Sequence, residues 1–449
     1  MAKANSSRRR KSLPEGGFEA QIVDLAEDGR GVARIEGKVC FVSGALPGET
    51  VNFRYTRVQK DADEGEMLEV LHASADRVEP PCAHFGVCGG CSLQHLAPAA
   101  QIALKQQQLV EALRRIGKLQ PEEIAPPIIG PTLGYRRRAR LGVKFVDKRG
   151  TALVGFRERA SPFLAALESC AVLDARVGRK LRVLGQTIAG LSVRRHLPQI
   201  EVACADTLPT EPVALVLRVM QPLTDADCAA LLQMAEREGF ALYIQTSGPD
   251  TVQPLRPPAP LLDYSPDGGA DRLQFQPTDF IQINSAVSQQ TVRQALAWLA
   301  PYTGERVLEL FCGLGNFSVP LARAGARVTA VEGEASLVGR ARANAERLGL
   351  DIAFHAADLF QPRPEAAWLR TSFESVLLDP PRAGAEAVIP VIAAGKPSRI
   401  LYVSCHPGTL ARDAGLLVHD HGYRLLRAGV MDMFPHTTHV ESMCLFVRD

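Results

Sequence analysis

No apolar run in this 449-residue chain approaches the ~20 residues needed to span a membrane; the runs are short, and some, such as Val213–Leu217, stop at a charge. A membrane role is therefore not expected. No hydrophobic stretch follows the basic residues of the N-terminus, MAKANSSRRRKS, so a secretory signal is not expected either, and residues 1–14 read as a disordered basic tail. No Gly-Lys-Ser/Thr closes a glycine loop, which excludes a P-loop, and there is no internal repeat. Net charge is small, 51 − 49 = +2, so the chain as a whole is not a polybasic binder. With 46% hydrophobic and 22% charged residues, disorder is excluded as the main state, and the length suggests about three domains. Ten cysteines without a signal point to a reducing cytoplasm and a metal or cluster site rather than disulfides.

Residues 15–73 alternate apolar and polar positions in five short runs: Gln21–Leu25, Val32–Ile35, Val39–Val42, Val51–Tyr55 and Met67–Val70. Gly29, Gly31, Gly37 and Pro47-Gly48 punctuate them, as expected for a small OB-like β-barrel, a common nucleic-acid platform. A helix is expected over Pro98–Lys118, followed by a Pro-rich linker over Pro121–Pro131. Residues 74–275 read as an α+β central domain, with a clear amphipathic helix over Asp225–Glu238 capped by Thr224. From Tyr135 to Ala160 there are nine Lys/Arg against two Asp/Glu, a local patch suited to a polyanion. Residues 276–449 alternate strand and helix, as in a doubly wound, Rossmann-like α/β domain with a mostly parallel sheet.

Within that last domain, Glu309-Leu-Phe-Cys-Gly-Leu-Gly-Asn-Phe317 sits where a strand turns into a helix. Gly313 and Gly315 permit a tight turn and close backbone approach, but Ser318 stands where a dinucleotide fingerprint has its third glycine. Glu332 ends the next strand, where an acid meets a ribose diol, so the pair reads as an S-adenosylmethionine (SAM) type of site. Asp379, before two prolines, and Cys405 both follow strands at the carboxyl edge of the sheet, where ligands bind. Cys405 is a candidate nucleophile or a small buried hydrophobe. Cys312 is read as packing. Glu441, opening an apolar strand, is a candidate general base or a solvent-facing strand end. His436 and His439 are read as loop histidines, not ligands. Cys82, Cys88 and Cys91 crowd a glycine loop, with Cys170 as a distant fourth. Their spacing is neither a paired C-x2-C zinc site nor a ferredoxin run, and leaves zinc and iron–sulfur both open. The C-x3-C-x2-C of radical SAM enzymes is absent.

Three segments together, Asp379-Pro-Pro-Arg-Ala-Gly384, Tyr402-Val-Ser-Cys405 and Asp432-Met-Phe-Pro-His-Thr-Thr-His-Val-Glu441, resemble the RNA uracil-C5-methyltransferases in order and spacing. One departure is His406, where that family usually has Asn. The resemblance implies that Cys405 adds to C6 of a uracil and that Glu441 removes the C5 proton after methyl transfer from SAM. It also implies that Gln282, Phe311, Asn316, Glu332, Asp358 and Asp379 hold SAM. Cys82, Cys88, Cys91 and Cys170 would carry a [4Fe–4S] cluster, and the barrel resembles the RNA-binding TRAM domain. Barrel plus cluster matches the branch acting on 23S rRNA in the cytoplasm, with no obligate protein partner and no membrane association. On this reading Gly134-Tyr-Arg-Arg-Arg-Ala-Arg140 is an RNA contact. Alternatives are the same chemistry on tRNA or another 23S uridine, or a non-catalytic RNA-binding iron–sulfur protein.

Overall fold

The computed structural model describes residues 13–206, 212–363 and 365–448, so most of the N-terminal basic tail lies outside the described residues. The chain gathers into two compact units: one runs to Gln101 and includes His436–Thr438, the other spans 102–435 and 439–449. Among the described residues, no helix is long and apolar enough to cross a membrane.

In the first unit, β1 (Phe18–Leu25), β2 (Gly31–Ile35), β3 (Lys38–Ser43), β4 (Thr50–Arg57) and β5 (Ala62–His72) close a barrel in the order β1-β2-β3-β5-β4. All five expected strands are present. Their alternation places Ala20, Ile22, Ala33, Cys40, Val42, Val51 and Phe53 in one core while their neighbours face outward. Gly65 on β5 is required there: a Cβ would lie 2.4 Å from Cδ2 of Phe53. Arg77 ties the chain leaving the barrel to buried Glu49, its Nη2 donating to Oε2 at 2.8 Å.

The second unit holds most of α1 (Pro98–Ala112), which ends in a π turn, Leu113–Gly117. The segment expected to be a linker is not free. Its β6 (Glu123–Ile124) pairs in parallel with β20 (Arg424–Met431), and Ala125 N–H donates to Ala428 O at 2.8 Å. The prolines are compatible with this because an edge strand needs only one side of its backbone paired.

A six-stranded sheet follows, built from β7 (Arg138–Val146), β8 (Thr151–Gly155), β9 (Gln199–Cys204), β10 (Val213–Arg218), β11 (Phe240–Gln245) and β12 (Gln253–Pro254). With it come α2 (Ala175–Gly178), α3 (Leu181–Gly190) and α4 (Asp225–Glu238). On α4, Thr224 and Asp227 form a reciprocal capping box, satisfying two helix-end donors. A small hairpin, β13 (Asp263–Tyr264) and β14 (Leu273–Gln274), leads to α5 (Ser285–Leu299).

The C-terminal sheet has eight strands in the order β17-β16-β15-β18-β19-β21-β20-β6. Five are parallel: β15 (Arg306–Leu310), β16 (Arg327–Glu332), β17 (Ala353–Ala356), β18 (Ser375–Leu378) and β19 (Arg399–Ser404). Strand β21 (Glu441–Val447) runs antiparallel to β19 and to β20. Helices α6 (Ser318–Arg323), α7 (Ala335–Arg347), α8 (Ile389–Ala394) and α9 (Pro407–Gly415) complete the domain. Leu308, Leu310, Val376, Leu378, Ile400 and Tyr402 share one core with Leu109 and Leu113 of the α1 segment. The apolar strand runs therefore read as buried on both faces, as a parallel sheet requires.

Candidate active site

The parallel strands end at a common edge, and a cavity of about 650 Å³ opens there. Gln282, Phe311, Asn316, Glu332, Asp358, Asp379, Cys405 and Glu441 all line it. The eight positions singled out in sequence for cofactor and chemistry thus meet in one place, although 159 residues (441 − 282) separate the first from the last.

The glycine turn after β15 forms its floor. Phe311, Gly313 and Gly315 adopt positive φ (65°, 55° and 92°), which carries the backbone sharply into α6. That helix is short, Ser318–Arg323, with Pro320 tolerated in its first turn, and it ends at Ala324 ahead of Gly325 at φ 95°. Glu332 accepts from the N–H groups of Gly313 (3.1 Å) and Glu334 (3.0 Å), so one carboxylate links two strand ends. The Oδ1 of Asn316 is buried without a hydrogen-bond partner, a cost that a donor on a bound ligand would relieve. Together with the acid on the neighbouring strand, this acceptor set fits the hydroxyl and amino donors of a nucleoside cofactor. Asp358 accepts from Phe360 N–H at 2.9 Å, and Phe360 lies 6.0 Å from Phe311, ring to ring. Cys312 is 3% exposed, in keeping with its packing role.

The loop after β18 carries Asp379 and Arg382. Helix α9 holds it: Asp413 accepts from Ala385 N–H (2.7 Å) and from Tyr402 O–H (2.6 Å), and Thr409 Oγ1 donates to Arg382 O at 3.2 Å. His406 is the N-cap of α9, its Nδ1 accepting from Thr409 N–H at 3.2 Å. Asn is among the best N-cap residues because its side-chain oxygen does this same work, so His406 replaces an Asn without loss of the cap.

Cys405 leaves β19 directly above this loop. Ser404 pairs with Ser442 across the β19–β21 ladder, which puts Cys405 and Glu441 side by side at its open end. Burial pushes the Cys405 thiol up to about 11, aided by Glu441 and Asp379 and opposed by Arg382. Burial likewise raises Glu441 to about 8, with Asp379 adding and Lys105 and Arg382 opposing. Asp379 is raised to about 7 by burial. Three acids crowded in a desolvated cavity hold protons near neutral pH, as proton-transfer sites do.

Arg382, Phe434 and His439 line the same cavity. Arg382 Nη2 lies 3.3 Å from His439 Nδ1, and the Phe434 and His439 rings are 5.1 Å apart. Sequence reasoning passed over them as site residues, although each stands inside a recognised segment.

The structure corrects the RNA-contact reading of the arginine run. Arg137 is 1% exposed, and its guanidinium donates to Gln282 O (2.7 Å) and Asp206 (3.3 Å). Arg138 donates to Glu201 (3.0 Å) and Val202 O (3.2 Å). Both are structural. Arg140, 71% exposed at its side chain, faces solvent, as do Lys144, Lys148, Arg149 and Arg157.

Cys82, Cys88 and Cys91 lie half-buried on a turn-rich segment of the first unit, where Gly90 N–H donates to Cys88 Sγ at 3.4 Å. Cys170 is half-buried in the second unit. The soft donor set suits a thiolate-bound metal group, yet among the described residues no three His, Cys, Asp or Glu are gathered to hold a metal ion.

Residues 272–449 match the family described as tRNA (Uracil-5-)-methyltransferase, and residues 18–68 match the TRAM domain. The chain is 50% identical over 444 residues to the 23S rRNA (uracil(1939)-C(5))-methyltransferase RlmD of Alkalilimnicola ehrlichii, covering 98% of this chain and 99% of that one. It belongs to the RNA uracil-C5-methyltransferase family. The RlmD of Methylococcus capsulatus is 48% identical over 442 residues, again 98% of this chain and 99% of the relative. Among solved structures, the Pyrococcus abyssi tRNA (uracil-54, C5)-methyltransferase in complex with S-adenosyl-L-homocysteine superposes with a TM-score of 0.73 at 24% identity, covering 96% of this chain and 99% of that one. That likeness extends the uracil-C5-methyltransferase fold to nearly the whole chain.

Proposed function

We propose that this protein methylates C5 of a uridine in 23S rRNA, using SAM, in the cytoplasm. The carrying observation is the placement of Cys405 and Glu441 side by side at the rim of the cavity that holds the glycine turn, Asn316 and Glu332. The full-length likeness to RlmD proteins favours 23S rRNA over tRNA as substrate.

C5 of uracil is too weak a nucleophile to be methylated directly. The Cys405 sulfur adds to C6, and the C5–C6 π electrons move toward O4, leaving C5 enolate-like and able to form a bond to carbon. SAM would supply the methyl group as an electrophilic carbon on its sulfonium, the S–CH3 bond breaking as C5 bonds to carbon and its electron pair leaving with S-adenosylhomocysteine. Glu441 then takes the C5 proton; that electron pair restores the C5–C6 double bond, and the C6–S bond breaks to return Cys405 as thiolate. Glu332 would meet the ribose diol, with Gln282, Phe311, Asn316, Asp358 and Asp379 completing the SAM site. Because a stacked base cannot reach this cavity, the target uridine is unpaired or extruded. Exposed Arg140, Lys144, Lys148, Arg149 and Arg157 supply cationic contacts for its phosphates.

Cys82, Cys88, Cys91 and Cys170 would hold a [4Fe–4S] cluster, supported by three thiols within ten residues and by a backbone N–H directed at Cys88 Sγ. Methyl transfer needs no electron, so its part is folding or RNA contact. The three domains would be 15–73, 74–275 and 276–449. Protein purified without air should be brown and contain iron; colourless protein with zinc would replace the cluster and leave the methylation reading intact.

The substrate is tested with methyl-labelled SAM and, separately, unmodified 23S rRNA and unmodified tRNA. Labelled 5-methyluridine from 23S rRNA alone is expected. Label in tRNA alone would overturn the substrate, and label in neither would leave an RNA-binding protein without this activity.

A further inference from the structure

We propose that Lys105 is a positioning residue for Glu441, acting through Asp432. The proposal rests on reading Glu441 as the base that removes the C5 proton.

Lys105 lies on α1, 327 residues before Asp432 in sequence, and it is 0% exposed. Its Nζ donates to Asp432 Oδ1 at 2.7 Å and to Phe434 O at 2.9 Å. Asp432 is itself buried. A buried ion pair is poor evidence for stability, since an apolar pair of similar volume usually does as well or better. The pair is therefore read for what it holds in place.

The location identifies that work. Met431, the last residue of β20, pairs with Glu441, the first residue of β21, and Asp432 comes next. The segment 432–435 is also held by Asp432 N–H to Ile128 O (2.8 Å) and by Tyr135 O–H to Pro435 O (3.0 Å). Lys105 therefore fastens the backbone at the sheet corner where Glu441 emerges, together with Phe434 on the cavity wall.

Charge adds to position. Asp379 from the end of β18, Arg382 from the following loop, Cys405 after β19 and His439 just ahead of β21 face the same space as Glu441. Asp379 disfavours the Glu441 carboxylate; Lys105 and Arg382 favour it. Arg382 is exposed and screened by solvent, whereas Lys105 acts from the interior, where screening is weak.

The test uses the full chain with Lys105→Met and with Lys105→Gln, which keeps donors but no charge. Three quantities are read: turnover to 5-methyluridine against pH, SAM affinity, and covalent trapping on RNA carrying 5-fluorouridine. Fluorine leaves no C5 proton to remove, so trapping reports Cys405 addition and methyl transfer without the base. Lys105→Met should lower turnover by about tenfold or more and move the acid limb of its pH profile upward by about one unit. SAM affinity and trapping rate should stay within about twofold of the parent. Lys105→Gln should keep part of the rate but show the same pH displacement. Turnover and trapping falling together, or an unmoved profile, would refute the role. If Lys105→Met does not fold, Lys105→Met with Asp432→Asn removes both charges, and a smaller displacement in the same direction is expected of it, because the opposing Asp432 charge is gone as well. Normal turnover by Glu441→Gln would instead remove the reading beneath the proposal.

Discussion

Cys405 and Glu441 face each other one step beyond the Ser404–Ser442 pair of the antiparallel β19–β21 ladder. Cross-strand neighbours have Cβ atoms about 5 Å apart, so sulfur and carboxylate can reach adjacent carbons of one pyrimidine ring. The antiparallel β21 is what makes this possible. A further parallel strand would have brought its carboxyl end, not its first residue, to the site edge.

Each of the pair has a distinct loss-of-function signature. Cys405→Ala should abolish methylation and every covalent RNA adduct. Glu441→Gln should still form the adduct while slowing release by about 10²- to 10⁴-fold. Denaturing gels of protein incubated with SAM and RNA separate the two outcomes. Equal adduct in both variants would argue against Cys405 as the bonding atom.

Buried acids also link this site to stability. Glu441 is raised from 4.5 to about 8, so the folded state holds its proton more tightly than the unfolded chain does. Its contribution is fully present below the unfolded value of 4.5 and is lost as pH rises through about 8. Glu309, fully buried beside Ser318, is raised to about 8 and acts in the same direction. Melting temperatures of Glu441→Gln and of the parent, taken from pH 5 to pH 9, should diverge as pH rises, with the variant gaining. For catalysis the sign is opposite: Glu441 takes a proton only as carboxylate, so turnover should climb toward pH 8.

The cofactor turn predicts a binding defect. Removing the orphaned acceptor with Asn316→Ala should raise the KM for SAM by about tenfold, the equivalent of one hydrogen bond worth about 1.4 kcal/mol, with kcat little changed. Glu332→Ala should do more, since it also releases Gly313 and Glu334 N–H groups. A fall in kcat at unchanged KM would place Asn316 elsewhere in the reaction.

The arginine run should divide into two classes. Arg137→Leu removes one of the two cations at the Asp206 carboxylate, which keeps Arg272, Ser285 and Ser265 as partners, and removes the donor to Gln282 O; it should destabilise the fold by about 1–3 kcal/mol, the cost of losing buried hydrogen bonds to a charged group. Arg157→Ala should leave stability unchanged and lower the salt dependence of RNA binding by about one phosphate contact. Urea unfolding and a binding series against salt concentration test both statements.

Much of this was legible in sequence, for physical reasons. Period-two burial exposed the barrel strands, since Ile22, Val42 and Val51 must face one core. The helix over Asp225–Glu238 carried its own cap. Asp379, Cys405 and Glu441 stood at strand ends, where a parallel sheet puts its ligands. What escaped depended on tertiary contact. Nothing local says that Glu123–Ile124 pairs with β20, or that Arg137 is enclosed while Arg140 is open. Lys105 reads as a helix-surface lysine until Asp432 is found beside it.

The central claim is a covalent route through Cys405, and one experiment meets it directly. Glu441→Gln is incubated with SAM and unmodified 23S rRNA, digested with nuclease and protease, and examined by mass spectrometry. The account predicts a peptide containing Cys405 bonded to a 5-methyl-5,6-dihydrouridine nucleotide. Methylated RNA with an unmodified Cys405 peptide, or the nucleotide attached to another residue, would contradict it.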